Sequence, residues 1–164
     1  MKFKDSFDAN EWETLQFSLM WVFRGVAGAD GKIDKEEQSA LTKLIKSHTK
    51  IPFAFTKEIL ESLDSNPGSF FRKSIVDSRD YRKGLEESAE ILDSKISLDE
   101  ALLYKKFLTA VGIFVANASG DDSESNKISD EEVDQLSKLA FHLKLKMTEL
   151  KEEPTIDQII AYIS

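Results

Sequence analysis

The chain has no cysteine, only two histidines and three prolines among its 164 residues. Without cysteine there is no disulfide, no zinc-thiolate site and no thiol nucleophile, and the small secreted class is disfavoured. With two histidines and no His-x-x-x-His spacing there is no zinc-hydrolase motif, and both phosphate-cradle patterns, Gly-x-x-x-x-Gly-Lys-Ser/Thr and Gly-x-Gly-x-x-Gly, are missing. Long apolar runs are missing too, so no segment is expected to span a bilayer, and the start Met1-Lys-Phe-Lys-Asp lacks the apolar run of a signal peptide. These absences together give the expectation of a soluble, cytoplasmic protein that is not an enzyme, since catalysis needs a nucleophile with its base, a split carboxylate pair or an open metal site.

Acid dominates what is present. Thirty Asp and Glu stand against 22 Lys and Arg, a net charge of −8, which repels phosphate backbones unless some face is locally basic. The lysines read as scattered (Lys43, Lys46 and Lys50, then Lys144, Lys146 and Lys151), with no aromatic-interleaved basic strip, so nucleic acid is not an expected partner. A chain this long suits one domain that buries roughly 68–70% of its unfolded surface.

Strand signals are almost absent and helix punctuation is dense. A capping box pairs Ser, Thr, Asp or Asn with Glu or Gln three residues on, each side chain accepting from the other's backbone amide. Five candidates fit: Asn10/Glu13, Asp34/Glu37, Ser97/Glu100, Ser129/Glu132 and Thr155/Gln158. Apolar residues follow each at three- and four-residue spacing, such as Trp12, Leu15, Leu19, Val22 and Phe23 after the first. Ile51-Pro-Phe-Ala-Phe-Thr opens a further helix that Asn66-Pro67-Gly68 ends, and one or two more run from Ser69 to Ser94 with a break near Asp77 to Asp80. The fold class is all-α, a single domain over 1–164 with seven or eight helices.

The chain also repeats itself. At an offset of 91, Phe17 to Asp30 aligns with Leu108 to Asp121, pairing Val22 with Ile113, Phe23 with Phe114 and Gly25 with Ala116. Past the loop the offset becomes 95, and Lys32-Ile33-Asp34-Lys35-Glu36-Glu37 aligns with Lys127-Ile128-Ser129-Asp130-Glu131-Glu132. The repeat units span about 10–48 and 98–145. Each is a helix, an acidic loop and a helix, and the small residues at the ends of both first helices permit close approach of a neighbour.

Two readings of the loops stay open. Hard divalent cations such as calcium take six to eight oxygen ligands, and an EF-hand supplies them at loop positions one, three, five, seven, nine and twelve. Numbered from Asp121, the second loop places Asp121, Ser123, Ser125, Ser129 and Glu132 at side-chain positions and Asn126 where glycine is usual. The first loop has Asp30 at position five, Gly31 at six, Asp34 at nine and Glu37 at twelve, but Val26 and Gly28 at one and three. Alternatively, Asp34/Glu37 and Ser129/Glu132 only cap helices, and the remaining acids favour the positive helix N-termini.

The run Ala29-Asp30-Gly31-Lys32-Ile33-Asp34-Lys35-Glu36-Glu37, closing a helix rich in small residues and opening an amphipathic one, resembles the tellurite-resistance TerB-like family. The resemblance implies an all-helical fold with an internal duplication, and acidic residues in two loops suspected of binding metal. By matching position these are Asp30, Asp34 and Glu37, and Asp121 or Asp122 with Glu132. It also implies a stress-response or membrane-proximal scaffold acting through a protein partner. Tellurium chemistry itself is not expected, because soft thiolate ligands are missing.

Aromatics at helical spacing (Trp12, Trp21, Phe23, Phe107, Phe114 and Phe141) are assigned to the core. Phe53, Phe55, Phe70 and Phe71, around the Pro67-Gly68 turn, are a candidate exposed patch for a partner. His48 and His142 are assigned to helix ends or surface, where a cation suits the C-terminal dipole.

Overall fold

The computed structural model describes residues 2–27, 35–118 and 130–163, without the side chains of 27, 35–37, 71, 75, 116–118, 130–133, 135 and 136. Every element among these residues is helical. In order they are α1 (Ala9–Ala27), α2 (Lys35–Lys46), α3 (Ala54–Asp64), α4 (Pro67–Val76), α5 (Tyr81–Lys95), α6 (Leu98–Ala118), α7 (Asp130–His142), α8 (Met147–Lys151) and α9 (Ile156–Ile163), with 3-10 turns at Phe3–Ser6 and Ser47–Thr49. The sequence spacing gives seven or eight; among the described residues there are nine α-helices, and the unanticipated one is the five-residue α8, too short to display a 3.6-residue period.

Local chemistry explains where the helices start. α1 is capped two residues earlier than expected. Asp8 Oδ1 accepts from Glu11 N (2.8 Å) and Glu11 Oε1 from Asp8 N (2.9 Å), a box that displaces the Asn10/Glu13 pairing. The Thr155/Gln158 box forms in full at α9, Gln158 Oε1 accepting from Thr155 N at 2.7 Å and Thr155 Oγ1 from Gln158 N at 3.3 Å. At α6 only half the box forms. Ser97 Oγ accepts from Glu100 N, while Glu100 reaches across to the backbone N–H of Phe55 (3.4 Å). Asn66 caps the start of α4, accepting from Ser69 N at 3.3 Å with Pro67 at the first helical position. The Asn-Pro-Gly run therefore begins one helix as it ends another. The expected break at Asp77 to Asp80 holds, with Asp80 accepting from Lys83 N to open α5.

One apolar core runs through the molecule, with α1 and α6 at its centre. Leu15, Leu19, Val22 and Phe23 of α1 and Tyr104, Phe107, Leu108 and Val111 of α6 are fully buried. α1 packs against α5 and α6; α6 packs against α1, α2, α7 and α9. Between the central helices the Tyr104 hydroxyl meets Ser18 Oγ at 2.7 Å and donates to Leu15 O at 3.2 Å. Burial pushes the Tyr104 phenol well above its ordinary value, so the ring carries its proton into the core.

The aromatic assignments divide. Trp12, Trp21, Phe23 and Phe107 are core residues and Phe114 is half-buried, but Phe141 is 75% exposed, because it lies on the outer side of α7's last turn. The Phe53/Phe55/Phe70 region is not the open patch anticipated. Phe55 and Phe70 are buried, Phe53 sits edge-on against Tyr162, and the Phe71 ring is outside the description. Phe3, Phe7, Trp12 and Tyr104 all surround Phe55 at ring-centroid distances of 5.2 to 6.4 Å, and that cluster consumes the surface a partner would have used.

Candidate functional site

α1 and α6 run in the same sense. Ser18 faces Tyr104. Farther along, Gly25 of α1 lies against Leu139 of α7, and Thr109 of α6 lines a cavity with Ala140 of that same helix. α5 runs opposite to α1, with Lys95 beside Glu11 at one end and Tyr81 against Gly25 at the other. Both central helices therefore direct their C-termini, Ala27 and Ala118, away from the α5–α6 turn. The acidic segments 28–34 and 119–129 follow those ends.

Of the six candidate ligands, Asp30, Asp34, Asp121 and Asp122 lie outside the described residues. Glu37 and Glu132 are helical in backbone, each the third residue of its helix, α2 and α7, and their side chains are outside the description. The third position of a helix suits a capping-box carboxylate and equally one approached by a loop ligand. Among the described residues no three His, Asp or Glu side chains converge as a metal site, and no helix is long and apolar enough to cross a membrane.

What the described part of this end contributes is close packing. A Cβ on Gly25 would lie 2.9 Å from the Tyr81 ring and 3.3 Å from Leu139, so the small residue expected to admit a neighbour admits two, α5 and α7. A second glycine is more demanding. A Cβ on Gly84 would sit 2.3 Å from the Trp21 indole. Above the same indole the Arg79 guanidinium stacks at 4.8 Å, bound to Asp77 (2.8 Å), Glu87 (2.6 Å) and the Thr14 hydroxyl (3.1 Å). The Asp77 carboxyl is held below its ordinary value chiefly by its hydrogen bonds from Arg79, and Arg79 is held further above its own. Arg24 donates to Ser74 O at 2.7 Å, joining α1 to α4.

Both histidines are half-buried and face carboxylates on a neighbouring helix: His48 Nε2 lies 3.0 Å from Asp64 and His142 Nδ1 3.1 Å from Glu86. Glu61 stands 3.9 Å from the other ring nitrogen of His48, Nδ1, beyond hydrogen-bond distance, so the two acids lie on different sides of the ring and do not form one ligand set. Two buried lysines went unnoticed in the sequence. Lys105 pairs with Asp93 at 2.8 Å, and Lys106, 1% exposed, donates to the backbone carbonyls of Glu152 and Pro154 at 2.8 and 3.2 Å. Their signal was available. Lys105-Lys106 interrupts an apolar run from Leu102 to Leu108 in which every neighbouring position is a core candidate, so at least one stem had to be buried. Gly84, by contrast, stands in a polar stretch, Arg82-Lys83-Gly84-Leu85-Glu86-Glu87, with nothing to mark an approaching indole.

No family model and no solved structure matches the chain. A curated relative does. The uncharacterized protein ORF11' of Methanothermobacter thermautotrophicus is 30% identical over 147 residues, a match covering 87% of this chain and 97% of the relative. Identity at that level covers most of this chain and nearly all of the relative, and the chain belongs to the same family as this ORF11' protein.

Proposed function

We infer that the chain is a noncatalytic, TerB-like helical protein of a stress or metal-response system, built from a duplicated helix, acidic segment and helix unit that binds a divalent cation such as calcium. One observation carries the reading. The last residues of α1 and α6, Ala27 and Ala118, and the first residues of α2 and α7, Lys35 and Asp130, stand at the same two offsets, 91 and 95, that align the sequence halves. Burial agrees at several paired positions: Phe17 with Leu108, Leu19 with Ala110, Leu44 with Leu139 and Ile45 with Ala140 are all core residues, and Ser18 pairs with Thr109 as a buried hydroxyl, while the buried Val22 and Phe23 pair with the half-buried Ile113 and Phe114. Ala27 and Ala118, the residues after which the two acidic segments follow in sequence, end helices that run in the same sense. Carboxylates from two segments supply the hard oxygen donors that calcium prefers.

Calorimetric titration of the metal-stripped protein with calcium tests this. Saturable binding that Glu132→Gln abolishes and Glu37→Gln weakens is the expected result, with a calcium-dependent rise in melting temperature. No heat and no thermal shift at millimolar calcium would reduce the carboxylates to helix caps. The reading left would then be a metal-independent interaction scaffold, favoured by the exposure of Phe141 (75%) and Met147 (62%), single apolar side chains of the kind that anchor a partner helix.

A further inference from the structure

The lysines that read as scattered in the sequence are not scattered in space. Lys43, Lys46 and Lys50 follow one another at three- and four-residue spacing along α2 and the 3-10 turn after it, and so fall on one side. They line a groove of about 690 Å³ together with Thr42, Ser47 and, at the end of α9, Ile163. All three lysines are exposed, and among the described residues no carboxylate lines the groove. Among the described residues these three have no ion-pair partner, a condition they share with Lys57 and Lys83, but these three gather in one groove. In a chain of net charge −8, three uncompensated cations in one groove form a local field of opposite sign to the whole.

Helix chemistry accounts for part of the charge. Lys43 and Lys46 occupy the last turn of α2, where carbonyl ends favour cations, but Lys50 lies beyond the helix. The hydroxyls of Thr42 and Ser47 donate to the backbone carbonyls of Gln38 and Leu44, and beside the polar Gln38 and Ser39 the ammonium groups are the charged donors of the groove. From Lys43 to Lys50 the chain rises about 10 Å. Two lysines a turn apart can grip a single phosphate, but engaging all three takes an anion extended along the groove. Ammonium groups bind as point charges without the planar fork of arginine, which suits a repeating tetrahedral anion.

We propose that this groove binds a linear oligophosphate, the chemistry shared by inorganic polyphosphate and nucleoside triphosphates. The test is calorimetry of the full chain, free of divalent cations, against inorganic triphosphate and separately against ATP at low salt. Omitting the cation makes the result independent of the acidic segments. Saturable binding is expected, weakened about tenfold or more when salt is raised to about 0.2 M, about tenfold by Lys46→Gln, and abolished in the Lys43→Gln/Lys46→Gln/Lys50→Gln protein. Lys57→Gln, outside the groove, leaves it unchanged. Equal affinity for both ligands assigns the site to the phosphate chain alone; ATP binding at least tenfold tighter adds packing of the nucleoside on Ile163. No saturable heat at about 1 mM triphosphate, undiminished affinity in the triple variant, or orthophosphate binding as tightly as triphosphate overturns the proposal. Melting curves check that each variant is folded, and if the triple variant is not, Lys46→Glu carries the test, with loss of binding expected and retained affinity overturning it.

Discussion

The two central helices, α1 and α6, share an apolar rhythm but are closed against their surroundings by opposite means. α1 is met by backbone. Gly84 lets the Trp21 indole lie directly on α5, and Arg79 stacks over the ring with its charge spent on Asp77 and Glu87. α6 is met by cations. Lys105 and Lys106 carry their stems through the core and end on Asp93 and on the carbonyls of Glu152 and Pro154. The difference teaches that a shared hydrophobic period fixes which face of a helix is buried and leaves open what will press on it. A close-packed contact has no tolerance for added volume, whereas a buried ammonium tolerates volume but not the loss of its acceptors.

The comparison breaks most sharply at Gly84. Gly84→Val forces branched carbons into the indole, and a loss of about 3 kcal/mol or more is expected, with Gly84→Ala costing about 1 to 3 kcal/mol. Urea unfolding at neutral pH measures both, and an unchanged midpoint for the alanine variant would mean that Trp21 can move aside.

On the α6 side, Lys106→Met keeps the stem and strands two carbonyls that water partly reaches. The expected cost is about 1 to 2 kcal/mol at neutral pH. Burial holds the Lys106 pKa below its ordinary 10.5, so between the folded and unfolded values the unfolded chain binds more protons. The native protein therefore gains stability from this group as pH rises through that window, and the gap to Lys106→Met widens toward pH 10.5. Tyr104, whose raised pKa costs stability above its ordinary value of 10.0, is common to both proteins and cancels in the difference. A gap that narrows with pH would contradict the burial of the charge.

The smallest effect belongs to the Arg79 clamp, which is partly open to solvent. Asp77→Asn is expected to cost about 0.5 to 1 kcal/mol at pH 7. Because the folded Asp77 pKa is depressed below 3.8, its contribution is present above that value and disappears as pH falls through the folded one. Thermal melts of the native and Asp77→Asn proteins should differ at pH 7 and converge in strong acid.

Much of the fold was legible residue by residue. Trp12, Leu15, Leu19 and Val22 declared α1 because a buried stripe must recur every 3.6 residues, and Thr155/Gln158 declared the start of α9 because orphan amides need acceptors within three residues. Less was legible where two local solutions compete. Asp8/Glu11 and Asn10/Glu13 both satisfy the capping pattern, and the structure uses the first. Phe141 obeys the helical period at its edge yet faces out, since exposure depends on which neighbour reaches that turn. Of the candidate ligands, Glu37 and Glu132 stand at equivalent third positions of α2 and α7, while Asp30, Asp34, Asp121 and Asp122 fall outside the described residues.

The amino-acid sequence by itself determined that this protein is all-helical, strongly acidic and free of cysteine chemistry, because period, capping and composition act within a few residues of each other. Tertiary structure alone decided that Gly84 faces an indole, that Lys106 ends on backbone carbonyls and that Lys43, Lys46 and Lys50 share a groove with Ile163. Those outcomes depend on contacts between residues distant along the chain, which no local pattern encodes.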